Sequence, residues 1–126
     1  MSTEPVSPAL PRNFIRPCLL LLLREQPSHG YELLERLRAF GFDRDPGGLY
    51  RALRALERDG CVRSSWEPST TGPERRIYQL SRAGMEALHR RATAIADATD
   101  TLGLFLSRYG EFVALTDSRE RTRVRR

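Results

Sequence analysis

The sequence predicts a mainly α-helical chain with one small β-hairpin, and three stretches carry that prediction. Asp45 to Gly60 reads as a short helix with its own start and stop signals and a row of arginines. From Cys61 to Leu80 the apolar period drops from helical to two on either side of a turn-rich centre. From Met85 to Tyr109 apolar residues recur in alternating steps of three and four. A helix pair, a hairpin and a seam-bearing helix in that order make a winged helix-turn-helix domain followed by a long C-terminal dimerisation helix.

The chain has 126 residues, of which 40% are hydrophobic and 29% charged, enough for one modest core. All 21 basic residues are arginine, and the net charge of +5 is permissive for a polyanionic partner without identifying one. Residues 1–11 hold three prolines among small polar residues and are expected to form a disordered arm. Asn13 to Glu25 reads as a first helix, apolar nearly all round. It therefore needs cover on most sides, some of it expected from a second subunit. Its run Cys18 to Leu23 is too short to span a bilayer, and no signal peptide precedes it, so a cytoplasmic protein with no membrane partner is expected. Cys18 and Cys61 lack metal-ligand or Cys-x-x-Cys spacing and are expected to be buried reduced thiols.

Pro27 and Ser28 interrupt the chain, and Ser28 is the expected N-cap of a second helix from His29 to about Phe40. Its buried stripe is Leu33, Leu34, Leu37 and Phe40, with Glu32, Glu35, Arg36 and Arg38 facing out. His29 has no partner with ligand or catalytic spacing and is read as a hydrogen-bonded residue at the helix start. Gly41 to Arg44 forms the turn into the third helix. There Asp45 is the N-cap, Pro46 the first helical residue and Gly60 the left-handed stop. Leu49, Ala52, Leu53 and Leu56 share one face; Gly47, Arg51, Arg54 and Arg58 share the other. Half-apolar and half-guanidinium, this helix is read as the element that enters a groove of double-stranded DNA.

Cys61 to Trp66 and Arg75 to Leu80 are strand candidates around a turn, Glu67 to Glu74. A hairpin directly after such a helix is a wing, and Arg75 and Arg76 open its return strand where it would pass a phosphate backbone. Trp66 is expected to pack rather than to stack on a ligand. Ser81 is the expected N-cap of the last helix, whose seam is Met85, Leu88, Ala92, Ile95, Thr99, Leu102, Leu106 and Tyr109, widened by Ala96, Leu104 and Phe105. With nothing left in the chain to cover it, the seam predicts a partner helix through Leu88, Ala92, Ile95, Leu102, Phe105 and Leu106. Gly110 is expected to end the helix. The domain boundaries are therefore an arm at 1–11, a DNA-binding domain at 12–80, a dimerisation helix at 81–110 and a basic tail at 111–126.

With these elements in place the chain resembles the PadR family of transcriptional regulators, of the type with a short C-terminal helix. The resemblance rests on Ser28-His29-Gly30-Tyr31-Glu32-Leu33, on Gly48-Leu49-Tyr50-Arg51-Ala52-Leu53 with Leu56-Glu57-Arg58-Asp59-Gly60, and on Gly72-Pro73-Glu74-Arg75-Arg76-Ile77-Tyr78-Gln79-Leu80-Ser81. It implies a homodimeric repressor of a pseudo-palindromic operator, with recognition helices about 34 Å apart. It also implies a small-molecule effector that releases DNA by favouring another spacing. By motif match Tyr31, Gly48, Tyr50 and Arg51 would approach the major groove, joined by Arg54 from the arginine face, and Arg75 and Arg76 would approach the backbone. Two positions depart from the family, which usually has proline in place of Arg51 and an aromatic in place of Ile77. Arg51 gains the means to read a guanine, an interaction of about 1–3 kcal/mol if it reaches a base edge. An effector pocket is expected near Phe14, Cys18, Ile95 and Phe105. No cofactor or metal is expected, and no nucleophile–base pair or phosphate-cradling loop suggests an enzyme. The alternative is a winged-helix module whose arginine face meets an acidic protein.

Overall fold

In the computed structural model of the chain, which describes residues 10–124 and side chains as far as Thr116, the apolar run Ile15–Glu25 forms helix α1. Most of the expected arm, residues 1–9, lies outside the described residues. Asn13 takes a positive φ of 53°, a conformation asparagine tolerates, so α1 starts two residues later than the sequence predicts. Pro17 falls in the first turn, where its missing N–H costs nothing. Ile15, Cys18, Leu19, Leu20, Leu22 and Leu23 are buried, and Leu21 is the apolar residue of α1 left exposed. The cover comes from the chain's own fold, since α1 packs on four other elements of its domain. No second subunit is required for it.

The second helix differs from the expectation in three ways. Ser28–His29 is a short strand, β1, and helix α2 spans Gly30–Arg36 before tightening into a 3-10 turn at Leu37–Phe40. His29, not Ser28, is the N-cap: its N–H donates to Glu32 Oε1 at 2.8 Å. Ser28 is fully buried and donates to Gln26 O at 3.3 Å. Arg36, expected to face out, turns inward and donates to Ser28 Oγ (2.7 Å), Leu22 O (2.9 Å) and Glu25 Oε1 (2.8 Å). One guanidinium thereby ties the end of α1 to β1 and α2. Gly41, at φ 86°, ends the 3-10 turn, and Phe42 returns to the core with its ring stacked on Phe14 at 6.2 Å.

Helix α3 spans Pro46–Arg58 with the caps the sequence predicts. Asp45 accepts the Gly48 N–H at 3.1 Å. At the other end Gly60 (φ 77°) donates to Glu57 O at 3.0 Å and Cys61 N–H to Leu56 O at 2.9 Å, the paired bonds of a Schellman stop. Strands β2 (Val62–Glu67) and β3 (Arg75–Leu80) form the hairpin, and β1 pairs with the free edge of β3 to give an antiparallel sheet ordered β1-β3-β2. In register, Trp66 faces Arg76 and Glu67 faces Arg75 across the hairpin, while His29 faces Ile77 across the other pair.

Ser81 caps helix α4, Arg82–Val124, by accepting the Gly84 N–H at 3.0 Å. The helix passes straight through Gly110 to Val124. A single glycine costs a helix about 1 kcal/mol, and Glu111 to Leu115 continue with helix-compatible residues and no proline. The expected tail is therefore helical over its described part, and its side chains beyond Thr116 lie outside the described residues. The chain divides into two compact units, Met1–Arg91 and Ala92–Arg126; the start of α4 belongs to the first and its remainder to the second. In the first unit Leu88 is half-buried against its own core. In the second, Leu102, Leu104, Phe105, Leu106, Tyr109, Phe112 and Leu115 are all exposed, and Phe105 stacks on Tyr109 at 6.4 Å. Among the described residues no helix is long and apolar enough to cross a membrane.

Candidate nucleic-acid interface

Helix α3 is amphipathic in the way its sequence demands. Leu49, Ala52, Leu53, Ala55 and Leu56 are buried in the first unit, leaving Gly47, Arg51, Arg54 and Arg58 at the surface. Arg51 folds back towards the helix start, where a Cβ on Gly47 would lie 3.3 Å from its Nη1. Gly48 departs from the expectation. It is buried, and its amide is already held by Asp45, so it presents no surface to a ligand. Tyr50 is 39% exposed and lays its ring on Gly30, where a Cβ would sit 2.8 Å from the ring's Cε1. Gly30 thus sets how closely α2 and α3 approach.

The wing is fastened to both helices of the helix-turn-helix pair. Arg75 Nη1 donates to Tyr31 Oη at 2.9 Å, and its guanidinium lies 5.8 Å from the centre of the Tyr31 ring. Tyr31 itself is half-exposed and stacks on His29 at 5.6 Å. Arg76 Nε donates to Ser64 Oγ at 2.8 Å, and Ser64 Oγ donates to Glu57 Oε2 at 2.6 Å, which reaches α3. Arg76 also lies 5.5 Å over the Trp66 ring. Trp66 does not pack into the core as expected. At 59% exposed it stands in the wing, covered on one face by that arginine.

These anchors bring Tyr31, Tyr50, Arg51, Arg54, Arg75 and Arg76 to the surface of one compact unit. Glu57, Ser64 and Glu67 were missed as supporting residues, whereas His29 is hydrogen-bonded at the helix start as expected. Only the alternation of β2, which puts Ser64 on the same face as buried Val62, hinted at the first pair. Burial holds the Tyr78 hydroxyl above its ordinary pKa, with Tyr50 and Glu57 adding to the rise and Arg76 and Arg54 opposing it.

Of the residues expected around an effector, Cys18 is buried in the core and Phe14 is half-buried against Phe40 and Phe42. Ile95 and Phe105 lie on the second unit's helix, separated by about 15 Å along its axis at 1.5 Å per residue. Both thiols are free; Cys61 is only half-buried, unlike the expectation, because it lies in the turn leaving α3. Among the described residues no cluster of His, Cys, Asp and Glu could hold a metal ion.

Comparison with known proteins agrees with this architecture. The chain is 32% identical over 111 residues to the "Probable transcriptional regulator Rv1176c" of Mycobacterium tuberculosis, covering 82% of this chain and 52% of that protein. It is 36% identical over 76 residues to the transcriptional regulator Rv3488 of the same organism, covering 60% of this chain and 70% of that one. The chain thus spans about half the length of the first relative. Bacillus subtilis PadR, crystallised in complex with operator DNA, shares the fold, with a TM-score of 0.59 at 21% identity over 65% of this chain and 48% of that one. Residues 19–90 match the transcriptional regulator PadR-like family, to which this chain belongs.

Proposed function

We propose that the chain is a DNA-binding transcriptional regulator that acts as a homodimeric repressor on a pseudo-palindromic operator. The observation that carries this reading is the surface of the first unit, where the arginine face of α3 is continued by two wing arginines already oriented by Tyr31, Ser64 and Glu57. Arg51, Arg54, Tyr31 and Tyr50 would face the major groove, and Arg75 and Arg76 the phosphate backbone beside it. The operator complex of a protein with the same fold supports the same choice of ligand. The dimer would form along α4 through Ala92, Ile95, Leu102, Phe105 and Leu106. An apolar strip that is exposed from Leu102 to Leu115 and carries a heptad seam favours a second helix over water. With Cys18 and Phe14 engaged in the first unit's own core, an effector that releases DNA would act through the dimer seam. It would do so by preferring a spacing of the recognition helices that does not fit the operator.

The test is fluorescence anisotropy on the duplex upstream of the protein's own gene, against a scrambled duplex, across a salt series. Tight binding to the first alone, with a steep salt slope, is the expected result. Arg54→Ala should weaken it and, where Arg54 meets phosphate, lower the slope by about one. Equal weak binding to both duplexes would overturn sequence-specific recognition there. It would favour the arginine face as a contact for an acidic protein.

A further inference from the structure

His29 occupies a position that its role as helix cap does not account for. Its side chain is 12% exposed and lies between two carboxylates from different elements. On one side Nδ1 is 2.7 Å from Glu32 Oε1 on α2; a carboxylate can only accept, so the ring proton sits on Nδ1. On the other side Nε2 is 3.3 Å from Glu67 Oε2, at the end of β2 where the wing begins. Nε2 is buried and has no hydrogen-bond partner. In the neutral ring it is a lone pair facing an acceptor. Tyr31 covers the ring on one face, and Arg75 grips Tyr31.

We infer that His29 is a protonation-sensitive clamp between the first helix of the helix-turn-helix pair and the wing, positioning Tyr31 and Arg75 for DNA. The inference rests on the DNA-binding reading given above. A proton on Nε2 turns an acceptor–acceptor contact with Glu67 into a charge-assisted hydrogen bond, while Nδ1 keeps its bond to Glu32. The wing is then held to α2 from both of its strands, through Glu67 on β2 and through Arg75 on β3. Charged groups of both signs face this proton. Glu32 and Glu67 attract it from opposite sides. Arg75 opposes it across the Tyr31 ring, as does Arg36, whose charge reaches Glu32. The clamp closes when Nε2 gains a proton and opens when it loses it, because only the protonated nitrogen can donate to Glu67. The sign follows: the closed wing and tight DNA binding belong to the lower pH and are lost as pH rises.

The chain carries its own reporter, because Trp66 is the only tryptophan and adjoins Glu67. His89 is the only other histidine and serves as the control. Trp66 fluorescence and anisotropy on the upstream duplex are measured from pH 5.5 to 8 on the full chain and on its His29→Asn, Glu67→Gln and His89→Asn variants. Glu67 is half-exposed, so its amide variant tests the clamp without disturbing the core. Wild type and His89→Asn should show a fluorescence transition and bind the duplex about tenfold tighter at the low end than at the high end, the scale of one added charge-assisted hydrogen bond. In His29→Asn and Glu67→Gln the transition should vanish and the affinity ratio should collapse towards one. A transition that survives in both variants overturns the clamp. An affinity ratio unchanged by the variants overturns its role in positioning the wing for DNA. Wild type that shows the transition but binds no duplex at any pH overturns the DNA-binding reading itself, and the positioning role with it.

Discussion

Replacing Gly84 with alanine should destabilise the first unit, although the same change in an ordinary helix stabilises. Gly84 lies in the first turn of α4, and its N–H is bound to the Ser81 cap. A Cβ there would run into the carbonyl oxygen of Cys61 and the Leu80 Cδ1, and would sit 3.0 Å from the Cys61 carbonyl carbon. The Leu80 methyl ends a flexible side chain and can turn away. The Cys61 carbonyl cannot, because its oxygen accepts the Ser81 N–H at 3.0 Å and the Cys61 N–H closes the stop of α3 on Leu56 O at 2.9 Å. Overpacking against fixed atoms costs about 1–3 kcal/mol, and weakening the Ser81–Cys61 bond adds about 1 kcal/mol. Against this stands a gain of up to about 1 kcal/mol in helix propensity. The net is a loss of about 2 kcal/mol, which lowers Tm by roughly 8–16 °C in a domain of this size. Thermal unfolding followed by circular dichroism measures it, with Gly110→Ala as the comparison. Among the described residues nothing beyond its own helix backbone and chain neighbours lies within 4 Å of a Cβ on Gly110, so that variant should gain up to about 1 kcal/mol. If Gly84→Ala raises Tm as Gly110→Ala does, the close seating of α4 on the turn after α3 is refuted.

Three further outcomes follow from the same contacts. Arg36→Ala should cost about 2 kcal/mol in urea denaturation, because Ser28 Oγ and Leu22 O lose a charge-assisted donor in a half-buried place. Glu25→Gln, at the exposed end of that cluster, should cost under about 1 kcal/mol, and equal losses would show that the surface pair carries the effect. If the proposed dimer forms along α4, Phe105→Asp with Leu106→Asp should leave a monomer in sedimentation equilibrium, since both residues are over 60% exposed; a mass unchanged from the unsubstituted chain would refute that seam. Burial pushes the Cys18 thiol from 9.0 up to about 12, so a thiol reagent at neutral pH should label Cys61 alone until denaturant is added. The folded thiol holds its proton where the unfolded one has lost it. Stability from this group is therefore full below pH 9.0 and falls as pH rises towards about 12, and alkaline titration of Tm would show the decline.

Local chemistry was legible in the sequence. Asp45, Pro46 and Gly60 bound α3 because a cap, a fixed φ and a left-handed stop act within a few residues of where they are written. The shift from helical period to alternation located the wing, and the step of three and four located the exposed strip of α4, because each period reflects the geometry of one element. Where those signals compete with distant partners, the reading failed. Ser28 looks like an N-cap, yet the free edge of β3 takes Ser28 and His29 as a strand and moves the cap to His29. Arg36 looks solvated, but the end of α1 and the hydroxyl of Ser28 meet at its guanidinium. Gly48 matches a surface motif and is buried, whereas its neighbour Gly47 is exposed.

The sequence by itself determined the caps of α3, where the wing turns and which faces of α3 are apolar or basic. Those properties depend on backbone propensity and on spacing along one element. Only the tertiary structure decided that Arg75 grips Tyr31, 44 residues away, and that His29 lies between the carboxylates of α2 and the wing. It also decided that Gly84 is crowded while Gly110 is open, although both are glycines within one helix. Such contacts join residues whose separation along the chain carries no periodic trace, and they exist only once the elements have packed.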